Sequence, residues 1–539
     1  MKVKQLHIKA ANKFATNYLN EAEEVMSFFN YTFKDPSNFE KRKQDLNGRS
    51  FDRAGLVKHI ESFMKDWMTP ATQESLRKLA LDSSVVVIGG QQAGLFTGPL
   101  YSIHKVLSVL QLAKQQEEKL NVPVIPVFWI AGEDHDYQEV NHVFLHNDKE
   151  VKKFVDTQKL KTKPMVSHIE LNKGELEKQL DEMVSFLGET QYSKQLLSKV
   201  KQLLAKSDNY VDFFSAFIME LFKDTPLLLV DSGNKEFKQL QKQFLTTQIE
   251  NAKEITESVL SQQKVISQAG FPLTLDISEN SANLFFYDEE RKERILLEYV
   301  DGLFVNTQKS LSFTREEMLH FAMNRPEVLS NNVVTRPLMQ EWLFPTLAFI
   351  GGPGEISYWA ELKQVFEHFH MNMPIIVPRI NITLIDQHCL SKMDELHISL
   401  EEALDGMVDS KKQQKLAGLR DLTIPNIISA TEEMLHQQYE MMKENNYDAA
   451  LMPILEKNER LIKQQLDFLN KKVERSFLLK EDTLIRKYDY VSNHLYPQHT
   501  YQERKLNVIQ FLNEYGFNFV KQLTEVPLNF DGSHHVIEI

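Results

Sequence analysis

The sequence predicts an α/β protein: a parallel sheet with crossover helices, followed by a helical segment that carries a coiled-coil stripe. Three observations point there. Between residues 85 and 380 short apolar runs alternate with helical patterns, as strands and crossover helices do. After about residue 384 the strand-like runs give way to helical periodicity with little Gly. A length of 539 residues, 42% hydrophobic and 25% charged, is ordinary globular composition with room for two or three sizeable cores.

The core runs, in order, are VVVIGG (85–90), VIPVFWIAG (124–132), LLLVDSG (227–233), TLAFIGG (346–352) and PIIVPR (374–379). Residues 1–384 are read as this core, with insertions at about 140–225 and 262–335. LEKQLDEMVSFL and VDFFSAFIMELF read as inserted helices, and PLTLDI, NLFFYD and RILLEY as inserted strands. Residues 385–510 form the helical segment, and residues 511–539 are expected to return to the core. Within it Leu451, Leu455, Asn458, Ile462, Leu466, Leu469, Val473 and Phe477 recur at steps of three and four. Such a narrow stripe on a polar helix needs a cover. The cover is either a second copy, giving a homodimer, or another helix of the same chain such as TEEMLHQQYEMM; Pro425 and Pro453 mark breaks.

Charge and cysteine usage exclude several functions. The balance of 75 acidic against 62 basic residues gives −13, with no basic block to neutralise phosphates, so nucleic acid is not an expected partner. One cysteine, Cys389, excludes an internal disulfide framework or a multi-thiolate site and fits a reducing compartment. The opening MKVKQLHIKAANKF has no apolar leader and no run is long enough to span a bilayer, so a soluble cytoplasmic protein is expected.

In an open α/β sheet, ligands bind beyond the carboxyl ends of the strands, so the residues after each run are the candidates. The first loop, GGQQAGLFTGPLY, spaces Gly90, Gly94 and Gly98 four apart and reaches Pro99, where a helix is expected to start with its free N–H groups directed at an anion. It has Leu95 and Phe96 where a phosphate-binding loop has Lys and Ser or Thr. Gln91, Gln92 and Thr97 share this loop; Tyr101, His104 and Lys105 share one face of the helix. A related unit, GGPGEISYW, places Gly352, Gly354, Glu355 and Tyr358 at a second helix start. The second run ends in Glu133, Asp134, His135 and Asp136, a group able to bind Mg²⁺, receive an ammonium or supply a general base. Arg336, with Gln340 one turn later, and Arg379 suit bidentate carboxylate binding. Asp231 ends the third run, where it either faces the ligand or caps the next helix. Tight turns, solvated bends and packing histidines produce the same residues without function. GxSxG, the P-loop lysine and the metallopeptidase pair are absent.

Together VVIGGQQAGLFTGPLY, FWIAGEDHDYQEVNH, LLVDSG and VVTRPLMQEWLFPTLAFIGGPGEISYWAELK resemble the bacillithiol-biosynthesis cysteine-ligase family, BshC. The resemblance implies a Rossmann-like parallel sheet core with inserted connecting segments, plus an α-helical coiled-coil domain that dimerises. It implies a ligase that joins the carboxyl of L-cysteine to the amine of glucosaminyl-malate, an amide bond. Such a reaction needs an activated acyl group, usually made with ATP and Mg²⁺. The related mycothiol ligase holds its cysteine with zinc and uses HIGH and KMSKS motifs. Here YSIHK and LSKMD depart from those, and a single cysteine argues against zinc. On this reading the acidic bend supplies catalysis and the two glycine turns with Lys105, Arg336 or Arg379 hold substrate carboxylates. The rival reading is a nucleotide- or metabolite-binding coiled-coil dimer without ligase turnover.

Overall fold

The computed structural model describes residues 1–539 except 9, 11 and 309. The five apolar runs become five strands: Val85–Gln91 (β1), Val124–Ile130 (β2), Leu228–Asp231 (β3), Thr346–Gly351 (β4) and Ile375–Pro378 (β5). They lie in the order β3-β2-β1-β4-β5, and every neighbouring pair is parallel. This is a Rossmann-like arrangement. Burial explains the continuous apolar runs, because a parallel sheet covered by helices on both faces has no solvated side. All seven residues of β2 and all six of β4 are buried.

Chain direction fixes the crossover helices. Tyr101–Leu120 (α1) follows β1 and packs on β1 and β2, its inward residues including Ile103, Val106, Leu107 and Leu112. Thr335–Leu343 (α2) leads into β4, and Pro353–Ala360 (α3) leaves it. Between β3 and β4 a second sheet is inserted, in the order Ser312–Thr314, Leu303–Val305, Glu293–Val300, Ser281–Asp288, Leu329–Asn331, all antiparallel. Leu284, Leu297, Phe304, Met318 and Leu329 form its own small core.

Three expectations need correction. PLTLDI is not a strand: the amides of Thr274 and Leu275 donate to the buried carboxylate of Glu361, and Gln263 donates to the Leu275 carbonyl, so side chains satisfy backbone that a ladder would otherwise need. Strands do not end at 384, because His534–Glu538 pairs antiparallel with Lys2–Leu6 and joins a three-stranded sheet with Asn381–Ile385. The first crossover helix starts at Tyr101, not Pro99, because residues 506 and 507 occupy the backbone before it: Leu100 N donates to the Leu506 carbonyl and Pro99 pairs with Asn507.

The chain divides into two compact units, residues 1–145, 152–384 and 502–539, and residues 146–151 and 385–501. In the second, Thr423–Glu444 (α4) and Met452–Lys480 (α5) form a helical hairpin. Lys443 bonds Glu459 (2.6 Å), Lys463 bonds Glu432 (2.7 Å) and Tyr439 bonds Asn458. Pro453 sits in the first turn of α5, where a missing N–H costs nothing. The hairpin covers the stripe only in part: no residue of α5 is buried, and Ile427, Met434, Ile454 and Phe468 are exposed. Among the described residues no helix is long and apolar enough to cross a membrane.

Gly90 is required sterically. A Cβ there would lie 2.7 Å from the Trp129 carbonyl oxygen, whereas one on Gly354 would meet nothing within 4 Å. Gly90→Ala should therefore cost ~1–3 kcal/mol in urea unfolding, and Gly354→Ala, in the first turn of α3, should stay within about 0.5 kcal/mol of the parent.

Candidate active site

The carboxyl ends of β1, β2 and β4 open into one cleft of about 770 Å³. The strand order reverses between β1 and β4, where crossovers leave in opposite directions, and such a switch point is where α/β sheets bind ligands. Gly90 and Gln91 end β1 on one side; Gly352, Pro353 and Gly354 open α3 on the other. The first-turn amides of a helix have no internal partners, and Pro353 gives up none by lacking an N–H. The start of α3 thus offers N–H groups and positive dipole to the cleft.

Lys105 joins the two bends. Its buried ammonium donates to the Gly90 carbonyl (2.6 Å), to Gln91 Oε1 (3.3 Å) and to Glu355 Oε2 (2.5 Å). The same Glu355 oxygen accepts from Gly352 N at 2.8 Å, closing a chain from one strand end to the other. Burial lowers the affinity of Lys105 for its proton, and Glu355 offsets part of that loss.

The acidic bend after β2 supplies the third side, and its four residues have separate fates. Glu133 is buried and pairs with the buried Lys238. Asp134 accepts from Gln92 Nε2 at 2.7 Å, and that amide also donates to Glu139 at 2.8 Å. His135 is partly buried beside Arg294, with Nη1 of the arginine 3.4 Å from Nδ1. Burial first and Arg294 second lower its pKa, so the imidazole is neutral at neutral pH. Asp136 is exposed and caps the short helix Tyr137–Val140, outside the cleft.

Two arginines at strand and helix ends differ sharply. Arg336 reaches the cleft from α2, and among the described residues its hydrogen-bond partners are neutral, the Tyr358 hydroxyl (2.5 Å) and Gln340 Oε1 (3.5 Å). Arg379 also lines the cleft, but both its Nη atoms donate to Glu503, at 2.8 and 2.6 Å. Its fork is filled. That carboxylate also lies 3.0 Å from His104 Nδ1, and the paired Arg379 holds it far below the usual carboxylate range.

The cleft therefore gathers Gly90, Gln91, Gln92, Tyr101, Lys105, Glu133, Asp134, His135, Arg336, Gly352, Gly354, Glu355, Tyr358 and Arg379. Gly94, Thr97 and Gly98 lie elsewhere. Thr97 is buried, and Asn507 Nδ2 donates to the carbonyls of Phe96 and Gly98, so this tip is held by the C-terminal segment instead of facing a ligand. His104, Asp231 and Gln340 are buried behind the cleft walls. Asp231 accepts from Gly233 N (3.0 Å), and the cap of the following helix is Asn234. Trp129, Glu139, Phe285, Arg294, Asn331 and Arg504 line the cleft without having been expected. An alternating strand, ERILLEYV, was the one signal for Arg294; nothing local marks Arg504. A second groove of about 940 Å³, around His59, Trp67 and Asp212, contains none of the strand-end residues.

Among the described residues the one set of three His, Cys, Asp or Glu side chains with converging ligand atoms is His436, Glu440 and Glu459. It lies on α4 and α5, and Lys443 already bonds both carboxylates. The acidic bend offers no such set.

Family comparisons cover the whole chain. Residues 1–380 match the family model "Bacillithiol biosynthesis BshC, N-terminal Rossmann-like domain", and residues 382–539 match "Bacillithiol biosynthesis BshC, C-terminal coiled-coil domain". Relatives from Geobacillus thermodenitrificans (38% identity), Bacillus licheniformis (36%) and Bacillus cereus (38%) align over 100% of both chains, each named "Putative cysteine ligase BshC".

Asp231 makes the electrostatics of the bend measurable. Burial, aided by nearby Glu133, pushes its carboxyl from an ordinary value near 3.8 up to about 7. A raised carboxyl means that the folded state holds the proton more tightly than the unfolded chain, so stability falls as pH rises from about 4 to about 7. Asp231→Asn removes this contribution. Relative to the parent, the variant should gain a few kcal/mol, at most about 4, between pH 4 and pH 8 in urea titrations; a constant difference would place the ionised form at Asp231 throughout.

Proposed function

The chain belongs to the BshC family of bacillithiol biosynthesis, and we propose that it is a ligase joining the carboxyl of L-cysteine to the amine of glucosaminyl-malate through an activated acyl group. One observation carries this reading: a single cleft at the switch point brings together a helix start suited to anions, an arginine with no carboxylate partner among the described residues, and a neutral imidazole. A non-catalytic binding role is not favoured, since the full-length relatives carry a ligase name.

Amide formation asks for two things of the protein. The carboxylates of the malate group must be held, and the sugar amine must lose a proton as its nitrogen attacks the acyl carbon. Arg336, oriented by the Tyr358 hydroxyl, and the first-turn amides of α3 suit the first task. Neutral His135 suits the second, accepting the amine proton while the acyl leaving group departs with its bonding electrons. ATP and Mg²⁺ would supply the activated acyl group. The α3 start and Arg336 would be the residues to meet a phosphate, and Asp134 and the exposed Glu139, which line the cleft, would be the carboxylates to meet a cation. Lys105 and Arg379, whose charges are already matched by Glu355 and Glu503, shape the site instead of gripping substrate. The exposed apolar surface of α4 and α5 supports a homodimer through that hairpin.

The deciding experiment is incubation of the purified chain with glucosaminyl-malate, L-cysteine, Mg²⁺ and candidate nucleotides, followed by mass analysis. An amide product with a spent donor is expected; no product with any donor overturns the proposal. Arg336→Ala should raise KM for glucosaminyl-malate ~10–100-fold, and unchanged binding would remove Arg336 from the scheme. His135→Gln should lower kcat ~10²–10⁴-fold. It should also abolish an acid limb that lies below the ordinary histidine value of 6.5, because activity rises with pH as the lowered imidazole loses its proton.

A further inference from the structure

Five cationic side chains are buried in the described part of the protein: Arg42, Lys105, Lys238, Arg294 and Arg379. Four have a carboxylate partner, respectively Glu341, Glu355, Glu133 and Glu503. Arg294 has none: among the described residues no carboxylate oxygen comes within 4.0 Å of it. Its Nε donates to Ser330 Oγ (2.9 Å), Nη2 donates to the Asn331 carbonyl (2.6 Å), and the guanidinium lies 3.7 Å over the Phe285 ring. All three partners are neutral. The acids whose charge it feels, Glu133 and Asp134, are engaged by Lys238 and Gln92.

Sheet register places this group deliberately. Tyr287 stands opposite Arg294 and Phe285 opposite Leu296, so Phe285 and Arg294 share one face of the inserted sheet. Phe285, Arg294 and Leu296 all line the cleft, as does His135 beside Nη1. A buried guanidinium without a counter-charge costs several kcal/mol; neutral hydrogen bonds and the ring stack offset part of that, and among the described residues no carboxylate within 4.0 Å supplies the rest. The charge is held in a rigid, stacked orientation with one nitrogen directed toward the imidazole that borders the reaction space.

We propose that Arg294 is a second anion subsite, a specificity residue on the inserted sheet that receives a substrate carboxylate next to His135. This rests on the ligase reading for the identity of the substrates, and its chemistry is shared by two sources: the carboxylate of the amino acid and those of the malate group. A planar guanidinium edge suits a planar carboxylate.

The test is calorimetric binding and thermal unfolding of the full chain, without turnover, for the parent, Arg294→Met and Arg294→Lys. L-cysteine, L-malate, glucosaminyl-malate and inorganic phosphate are titrated separately. Arg294→Met, which removes an unpaired charge and keeps volume, should be at least as heat-stable as the parent while binding one carboxylate ligand at least ~10-fold more weakly. Arg294→Lys should fall between them, and reports on binding even if Arg294→Met does not fold. Loss for cysteine alone assigns the amino-acid carboxylate; loss for malate and glucosaminyl-malate assigns the other source. Equal binding by all three proteins overturns the subsite, and so does Arg294-dependent binding of phosphate alone. If no amide forms under any donor yet carboxylate binding still depends on Arg294, the ligase reading fails and the subsite stands.

Discussion

The cleft depends on one buried cation. Lys105 reaches from the first turns of α1 to the Gly90 carbonyl and to Glu355, and Glu355 in turn accepts the Gly352 amide. That chain ties the two strand ends at the switch point to each other, and Asn12 adds a separate hold on the α3 start by donating to the Pro353 carbonyl and Ser357 Oγ. An ammonium this deep is costly, and Glu355, itself only partly buried, is the carboxylate that meets it. The lysine stands fifteen residues from Gly90, near the start of the helix that follows, so the phosphate-loop likeness of the first turn is deceptive: the lysine is present but turned toward the partner bend.

A second consequence follows from chain order. The segment after the coiled-coil unit returns to the core, and residues 503–507 fix what the glycine-rich loop alone could not. Asn507 bonds the carbonyls of Phe96 and Gly98, and Glu503 fills the fork of Arg379. Phe96 and Thr97 have positive φ angles of 48° and 75°, a conformation that non-glycine residues hold only when surroundings over-determine it. The helical unit thus interrupts a core whose site is completed only by residues that follow it.

Much of this was legible in the sequence. Five apolar runs became five parallel strands because burial on both faces leaves a pattern that survives reading one residue at a time. Convergence of the Gly90 and Gly352 bends with residues 133–135 was also legible, since strand ends of one sheet necessarily share an edge, but Asp136 turns away to cap a helix. What could not be read is pairing. Local sequence does not say that Glu503 fills Arg379, that Lys238 holds Glu133, or that Arg294 enters from an inserted strand, because each contact joins segments more than a hundred residues apart. PLTLDI misled for a related reason: its amides are satisfied by Glu361, a side chain that its own pattern cannot announce.

The most direct test of the account is a crystal structure of the chain with glucosaminyl-malate. Density for the ligand between the Gly90 and Gly352 bends, with a carboxylate against Arg336 or Arg294 and the amine toward His135, is the expected result. Ligand seated in the groove around His59 and Trp67, with the switch-point cleft unchanged, would contradict it.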